Sequence, residues 1–315
     1  MPRPLRISAI SFLNTAPLMW DFERGAPPPQ QSKIENQISK MGRDEVPESE
    51  IGNQKSEMVS DTHEPFEISY TVPSLCAESL RAGSADIGII PAITYATIPG
   101  LVILPDACIA AKRDVRSILL VTRKRIEDVR TIAADTSSRT SVALTQVLCH
   151  KLWGGAREMR PMPPDIDSML AACDAALLIG DSALHIDPSE FRSYDLAAEW
   201  RKLTGLPFVF AVWALRMAAL PETSREPDPA TVLSRSRDNG TRPENIATIA
   251  RLWSPHLQLP ETLIADYLTR NIHYTLDREN RAGLELFYRY AAELSLIPEV
   301  PSLRFYGLAA QQFVG

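Results

Sequence analysis

Residues 134–147, ADTSSRTSVALTQV, crowd five hydroxyl side chains and one arginine into six consecutive positions. A β-branched and apolar lead-in at 129–133 precedes them, and apolar residues at helical spacing follow. This is the pattern of a strand, a tight turn and the N-terminus of a helix. Unpaired N–H groups and the positive end of the helix dipole favour an anion there. Thr136, Ser137, Ser138, Thr140 and Ser141 can add hydroxyl donors, and Arg139 brings a planar fork suited to a carboxylate. One Ser or Thr is enough to cap a helix. Five beside an arginine point to an anion site.

The elements that must position this turn are read from the apolar runs. Residues 5–12 alternate as a strand and end in the turn-prone LNTAPL, which leaves Asn14 at the strand's end. From 25 to 65 the chain turns polar, proline-bearing and free of aromatics, so it cannot bury enough surface to order itself. A disordered insertion on a surface loop is expected, with a lid or partner-docking arm as the alternative. Residues 66–72 alternate as a strand. VPSLCAESLRAG then sets Ser74 at a helix N-cap and Gly83 at that helix's end. ADIGIIP is a short buried strand closed by Pro91, with Thr94 just beyond it. Residues 101–104, 117–122 (SILLVT) and 174–181 (DAALLIGD) read as further strands, the last ending on Asp181. Strands alternating with helices indicate an open α/β sheet. Ligands in such sheets sit beyond the carboxyl ends of strands, where Asn14, Thr94, the hydroxyl turn and Asp181 all fall.

Composition narrows the function classes. A chain of 315 residues, 45% hydrophobic, can bury a large core and suggests two domains or one bilobal unit. A net charge of −6, without basic runs interleaved with aromatics, gives no sign of nucleic-acid binding. Cys76, Cys108, Cys149 and Cys173 are scattered, so neither a disulfide framework nor a metal site is expected. The N-terminus lacks the apolar stretch of a signal peptide, and no later run would span a membrane; a cytoplasmic protein is expected. Dinucleotide-binding, P-loop, zinc-protease and nucleophile-elbow motifs are absent. His63, His150, His185, His256 and His273 have no local partner in sequence and read as structural or surface residues. Asp195 and Glu199, four apart, read as a solvated helical face. Phe208, Phe210 and Trp213 read as a buried strand, one side of which could wall a pocket.

Four segments in one order carry a family resemblance: SFLNTAPL at 11–18, DTSSRTSVAL at 135–144, LLIGDSAL at 177–184 and YDLAAEWRKLTGLPFVFAVW at 194–213. Together with the later YLTRNIHY and GLELF, they resemble the chorismate dehydratases of the futalosine route to menaquinone. The likeness covers nearly the whole chain apart from 25–65, where the family usually has a shorter connection.

That resemblance implies a type 2 periplasmic-binding-protein-like fold, two α/β lobes with the ligand in an interlobe cleft. Lobe one would comprise 1–109 and 211–315, and lobe two 110–210. It implies a hydro-lyase that removes water from chorismate to give 3-[(1-carboxyvinyl)oxy]benzoate, with no cofactor and no metal. Asn14 and Ser117 would orient the reacting ring. Thr94, Ser137, Ser138, Arg139, Thr140 and Ser141 would hold the substrate, the hydroxyl turn taking one carboxylate. Neither Asn14 nor Ser117 is a good base, so the substrate's own enolpyruvyl carboxylate would take the proton. Asp181 stays open between general acid or base and helix cap or hinge partner. Two alternatives share the fold: a solute-binding or ligand-sensing protein, and the related 1,4-dihydroxy-6-naphthoate synthase, which would carry a different N-terminal motif and a histidine at the cleft.

Overall fold

A computed structural model describes residues 3–27, 66–187, 189–219 and 227–307. Most of the expected disordered insertion, residues 28–65, lies outside the described residues, as does His63. The described chain first runs through β1 (Leu5–Ile10), β2 (Phe66–Thr71), β3 (Ile87–Pro91), β4 (Leu101–Ala111) and β5 (Ile118–Thr122). It continues through β6 (Thr131–Asp135), β7 (Glu158–Met162), β8 (Ala175–Ile179), β9 (Arg192–Asp195) and β10 (Phe208–Arg216). Two five-stranded sheets result, ordered β2-β1-β3-β10-β4 and β7-β6-β8-β5-β9. Within each, three parallel strands pair side by side, and the strands near the crossovers run antiparallel. The chain leaves the first sheet through residues 112–117. It returns to that sheet through the helix Leu196–Thr204 and Pro207.

β3 and β8 are buried along their whole length, as the continuous apolar runs IGIIP and AALLI require of strands covered on both faces. In the second sheet the period of two is visible in the packing. Leu120 and Leu177 face the large core shared with the first sheet, whereas Val121, Ala176 and Leu178 face a smaller cluster with Met169. β7 and β9 carry RPM and RSYD, too polar to announce a strand, and they occupy the two edges of that sheet.

Two local expectations are corrected. Val72, not Ser74, is the N-cap of the helix Pro73–Ala82, because Pro73 takes the first helical position, where no N–H is needed. Gly83 does end that helix, in left-handed conformation at φ +77°. Asp195 is not on a helical face. It caps the helix Leu196–Thr204 through the N–H groups of Ala197 and Ala198, and it also accepts from Val115 and Arg116 in the crossover. Phe208, Phe210 and Trp213 do lie on a buried strand, and the Phe208 ring packs in the core against Trp200 and Phe287, at centroid distances of 5.3 and 5.0 Å.

One close approach positions the site. The helix Pro229–Gly240 ends against the loop that carries Asn14, so a Cβ at Gly240 would lie 2.0 Å from the Pro17 carbonyl oxygen. Only glycine lets that helix and that loop touch backbone to backbone.

Candidate functional site

A cavity of about 910 Å³ is lined from both sheets. Ser11 and Phe12 follow β1, Thr94 follows β3, Thr136, Ser137 and Arg139 follow β6, and Asp181 follows β8. All therefore stand at carboxyl ends of parallel strands, as an open α/β sheet presents a ligand site. Ile93, Val142, Met162 and Ile179 add apolar wall around these few polar groups, the usual make-up of a small-molecule pocket. Among the described residues, no histidine lines the cavity.

The hydroxyl turn forms one wall, and the structure divides its side chains into two groups. Ser138 caps the helix Arg139–Lys151. Its Oγ accepts from the Ser141 N–H at 3.5 Å and from the Ser141 hydroxyl at 3.1 Å. Thr140 Oγ1 accepts from the Ile93 N–H at 3.2 Å, tying the turn to the first sheet. These three are buried and do not reach the cavity lining. Thr136, Ser137 and Arg139 do reach it, and Ser137 Oγ is buried with no hydrogen-bond partner. Thr94 also lines the cavity, although its hydroxyl donates back to the Pro91 carbonyl at 2.7 Å.

Arg139 Nη2 meets Glu78 Oε1 at 2.8 Å on the helix Pro73–Ala82, a carboxylate that Arg81 also holds at 2.6 Å. The Ser74 N–H donates to the Ser137 carbonyl at 3.1 Å, so that helix docks on the turn at two points. Sequence reading missed Asp135. It ends β6 at the cavity, where its carboxylate accepts from the Ser137 N–H at 2.8 Å and burial pushes its pKa up to about 6.

A second cluster lies at the other polar end. Asp181 is buried, and its carboxylate accepts from the Leu13 N–H at 3.2 and 3.4 Å. That links the loop after β8 to the loop after β1. Burial outweighs this bond and pushes the Asp181 pKa up to about 7. Ser117 is fully buried. Its Oγ accepts from the Tyr267 hydroxyl at 2.8 Å, and its carbonyl accepts from the Gly180 N–H at 2.8 Å. The Asn14 side chain lies near the Tyr267 phenol, and burial together with the charge of Asp181 holds that phenol well above its ordinary pKa. Gly180 has φ +73° and lies under the Phe12 ring, where a Cβ would come within 3.0 Å.

Asn14 and Ser117 are thus brought together with Asp181, but neither is in the cavity lining; Asp181 and Phe12 connect them to it. Tyr267 was missed in the sequence because nothing local marks it. Its partners lie 150 or more residues away in the chain.

Comparison with known proteins adds the following. A family model described as menaquinone biosynthesis matches residues 5–293. A chorismate dehydratase of Thermus thermophilus is 29% identical over 246 residues, covering 71% of this chain and 86% of the relative. Solved structures show the fold. A protein of Archaeoglobus fulgidus superposes with a TM-score of 0.63 at 17% identity, covering 93% of this chain and 98% of that one. The periplasmic aliphatic sulphonate-binding protein of Escherichia coli gives a TM-score of 0.56 at 15% identity, covering 95% of each chain. A Candida albicans gene product described as having the generic periplasmic-binding-protein fold gives 0.57 at 13%, covering 99% of each. The architecture is accordingly the two-lobed, periplasmic-binding-protein-like α/β fold.

Proposed function

The chain belongs to the menaquinone-biosynthesis family, and on that premise we propose that it removes water from chorismate to give 3-[(1-carboxyvinyl)oxy]benzoate. It is a carbon–oxygen lyase of the hydro-lyase class, acts in the cytoplasm and needs no cofactor. The observation that carries the reading is the cavity with two unlike polar ends, the hydroxyl wall at Ser137 and Arg139 and the buried Asp181, behind which Ser117 lies. Chorismate has two carboxylates and a reacting ring edge, which such a site would hold apart.

The ring proton beside the enolpyruvyl ether is activated through the conjugated diene by the ring carboxylate. That C–H bond and the neighbouring C–OH bond break, a ring double bond forms, and one water leaves. Aromatisation drives the step, so the protein's task is positioning and electrostatic support. The substrate's enolpyruvyl carboxylate takes the proton, while Asn14 and Ser117 orient the ring and its leaving hydroxyl at the Asp181 end. Ser137 and Arg139 hold a carboxylate at the other end. Ser138, Thr140 and Ser141 act there by fixing the turn, since their hydroxyls are already engaged within the protein. Thr94 contributes wall. Asp181 is a partner of the Leu13 backbone at the junction of the lobes, whose expected bounds of 109/110 and 210/211 shift to 111/112 and 207/208 so that β4 and β10 stay whole in the first.

The direct test is to incubate the purified protein with chorismate and separate the products by chromatography with mass detection. An aromatic product lighter by one water is expected. Chorismate that binds yet is recovered unchanged would mark a binding protein on the same fold.

A further inference from the structure

The helix Glu261–Asp266 widens into a single π-helical turn, Tyr267–Asn271, closed by the Ile272 N–H donating to the Tyr267 carbonyl at 3.2 Å. Such a turn is a poorer hydrogen-bonding arrangement than the α-helix and is often found at functional sites. Here its two ends grip the crossover between the sheets. Tyr267 donates to Ser117 Oγ at 2.8 Å, and Asn271 Nδ2 donates to the Asp114 carbonyl at 3.2 Å and carboxylate at 2.5 Å.

Tyr267 is fully buried, and its hydroxyl faces Ser117 and Asn14. A core position with no further duty is filled more simply by phenylalanine, which leaves no hydroxyl to satisfy. The two hydroxyl oxygens are 2.8 Å apart, so each restrains the orientation of the other. Asn14 lies near the same phenol, so one rigid ring stands between the loop after β1 and a hydroxyl at the entry to β5.

We propose that Tyr267 is a positioning residue for the reaction, its phenol fixing Ser117 and the Asn14 loop behind Asp181 and Phe12, which face the ligand at the junction of the lobes. The inference rests on the dehydratase reading above. Steady-state turnover of chorismate and melting temperature are measured for the wild type, Tyr267→Phe, Ser117→Ala and the double variant. Tyr267→Phe is expected to lower kcat about 10- to 100-fold with KM within about 3-fold, less than the roughly 10²- to 10³-fold lost with a donor that touches the reacting atoms, because Tyr267 acts through Ser117. In the Ser117→Ala background the same change is expected to cost less than about 3-fold, because the group it fixes is already gone. A packing defect would slow both backgrounds alike, and equal losses in the two overturn the proposal, as does a Tyr267→Phe enzyme with unchanged kcat. A wild type that does not turn over chorismate instead overturns the dehydratase reading, and this inference with it.

Discussion

The two polar ends of the cavity are built in opposite ways. The hydroxyl wall comes from one short segment, residues 136–141, whose capping and spacing are set locally by a strand, a turn and a helix start. The cluster at Asp181 takes Asn14, Ser117, Asp181 and Tyr267 from four distant places in the chain and gathers them at the junction of the two sheets, all but Asn14 buried. A local wall can be half exposed and still hold a charge. A buried cluster must satisfy every polar group it contains, so small changes there cost more. On the proposed function, the wall would anchor the substrate and the cluster would align the chemistry.

The largest stability effect is expected at Asp181. Its folded pKa of about 7 lies above the value of roughly 4 for an unfolded aspartate, so the folded state holds the extra proton between them. Stability contributed by the neutral acid is therefore full below pH 4 and declines as pH rises through 7. Asp181→Asn keeps an oxygen for the Leu13 N–H and removes the titration. Urea unfolding is expected to show the variant gaining about 2–4 kcal/mol on the wild type between pH 4 and pH 8. A constant difference across that range would mean Asp181 is ionised in the fold. Asp135, on the wall side, has the same sign over a narrower window ending near pH 6.

Gly240→Ala tests the support of the cluster from outside it. The new methyl meets the Pro17 carbonyl, and a loss of about 1–3 kcal/mol is expected by thermal melting, with kcat falling as the Asn14 loop shifts. Full activity at reduced stability would show that this loop tolerates movement.

On the wall, Arg139→Ala is expected to weaken chorismate binding about 10-fold by calorimetry, the lower range for a charge-assisted bond because Arg139 is half exposed and shared with Glu78. Glu78→Gln frees the arginine and is expected to tighten binding a few-fold. An unaltered affinity in both variants would assign the pair to docking of the helix alone. The smallest effect is Ser138→Ala, which removes the helix cap: about 1 kcal/mol of stability lost, with kcat unchanged.

The same contrast explains what could be read from the chain. Ile87–Pro91 and Ala175–Ile179 are strands because unbroken apolar runs suit a doubly covered sheet, and the 134–147 pattern gave the strand, turn and capped helix in order. β7 and β9 were illegible because edge strands tolerate charge and proline. Asp195 was misread because four-residue spacing to Glu199 looks helical, whereas its carboxylate closes a helix start and the crossover together. Composition could nominate five hydroxyls for a ligand, but not that Ser138, Thr140 and Ser141 would turn inward while Ser137 stays unpartnered. Asn14 is nominated by its place at the end of the first strand and Ser117 only through family likeness, while Tyr267 emerges only through tertiary contact, since no spacing in sequence relates it to Ser117.

The central claim, that the buried cluster governs the chemical step and the hydroxyl wall governs binding, is tested most directly by splitting kcat from KM in two variants. Asn14→Ala is expected to lower kcat on chorismate by about 10³-fold with the dissociation constant within about 3-fold. Arg139→Ala is expected to raise KM about 10-fold with kcat nearly intact. The reverse pattern, a binding defect in Asn14→Ala and a turnover defect in Arg139→Ala, would contradict the division of labour between the two ends.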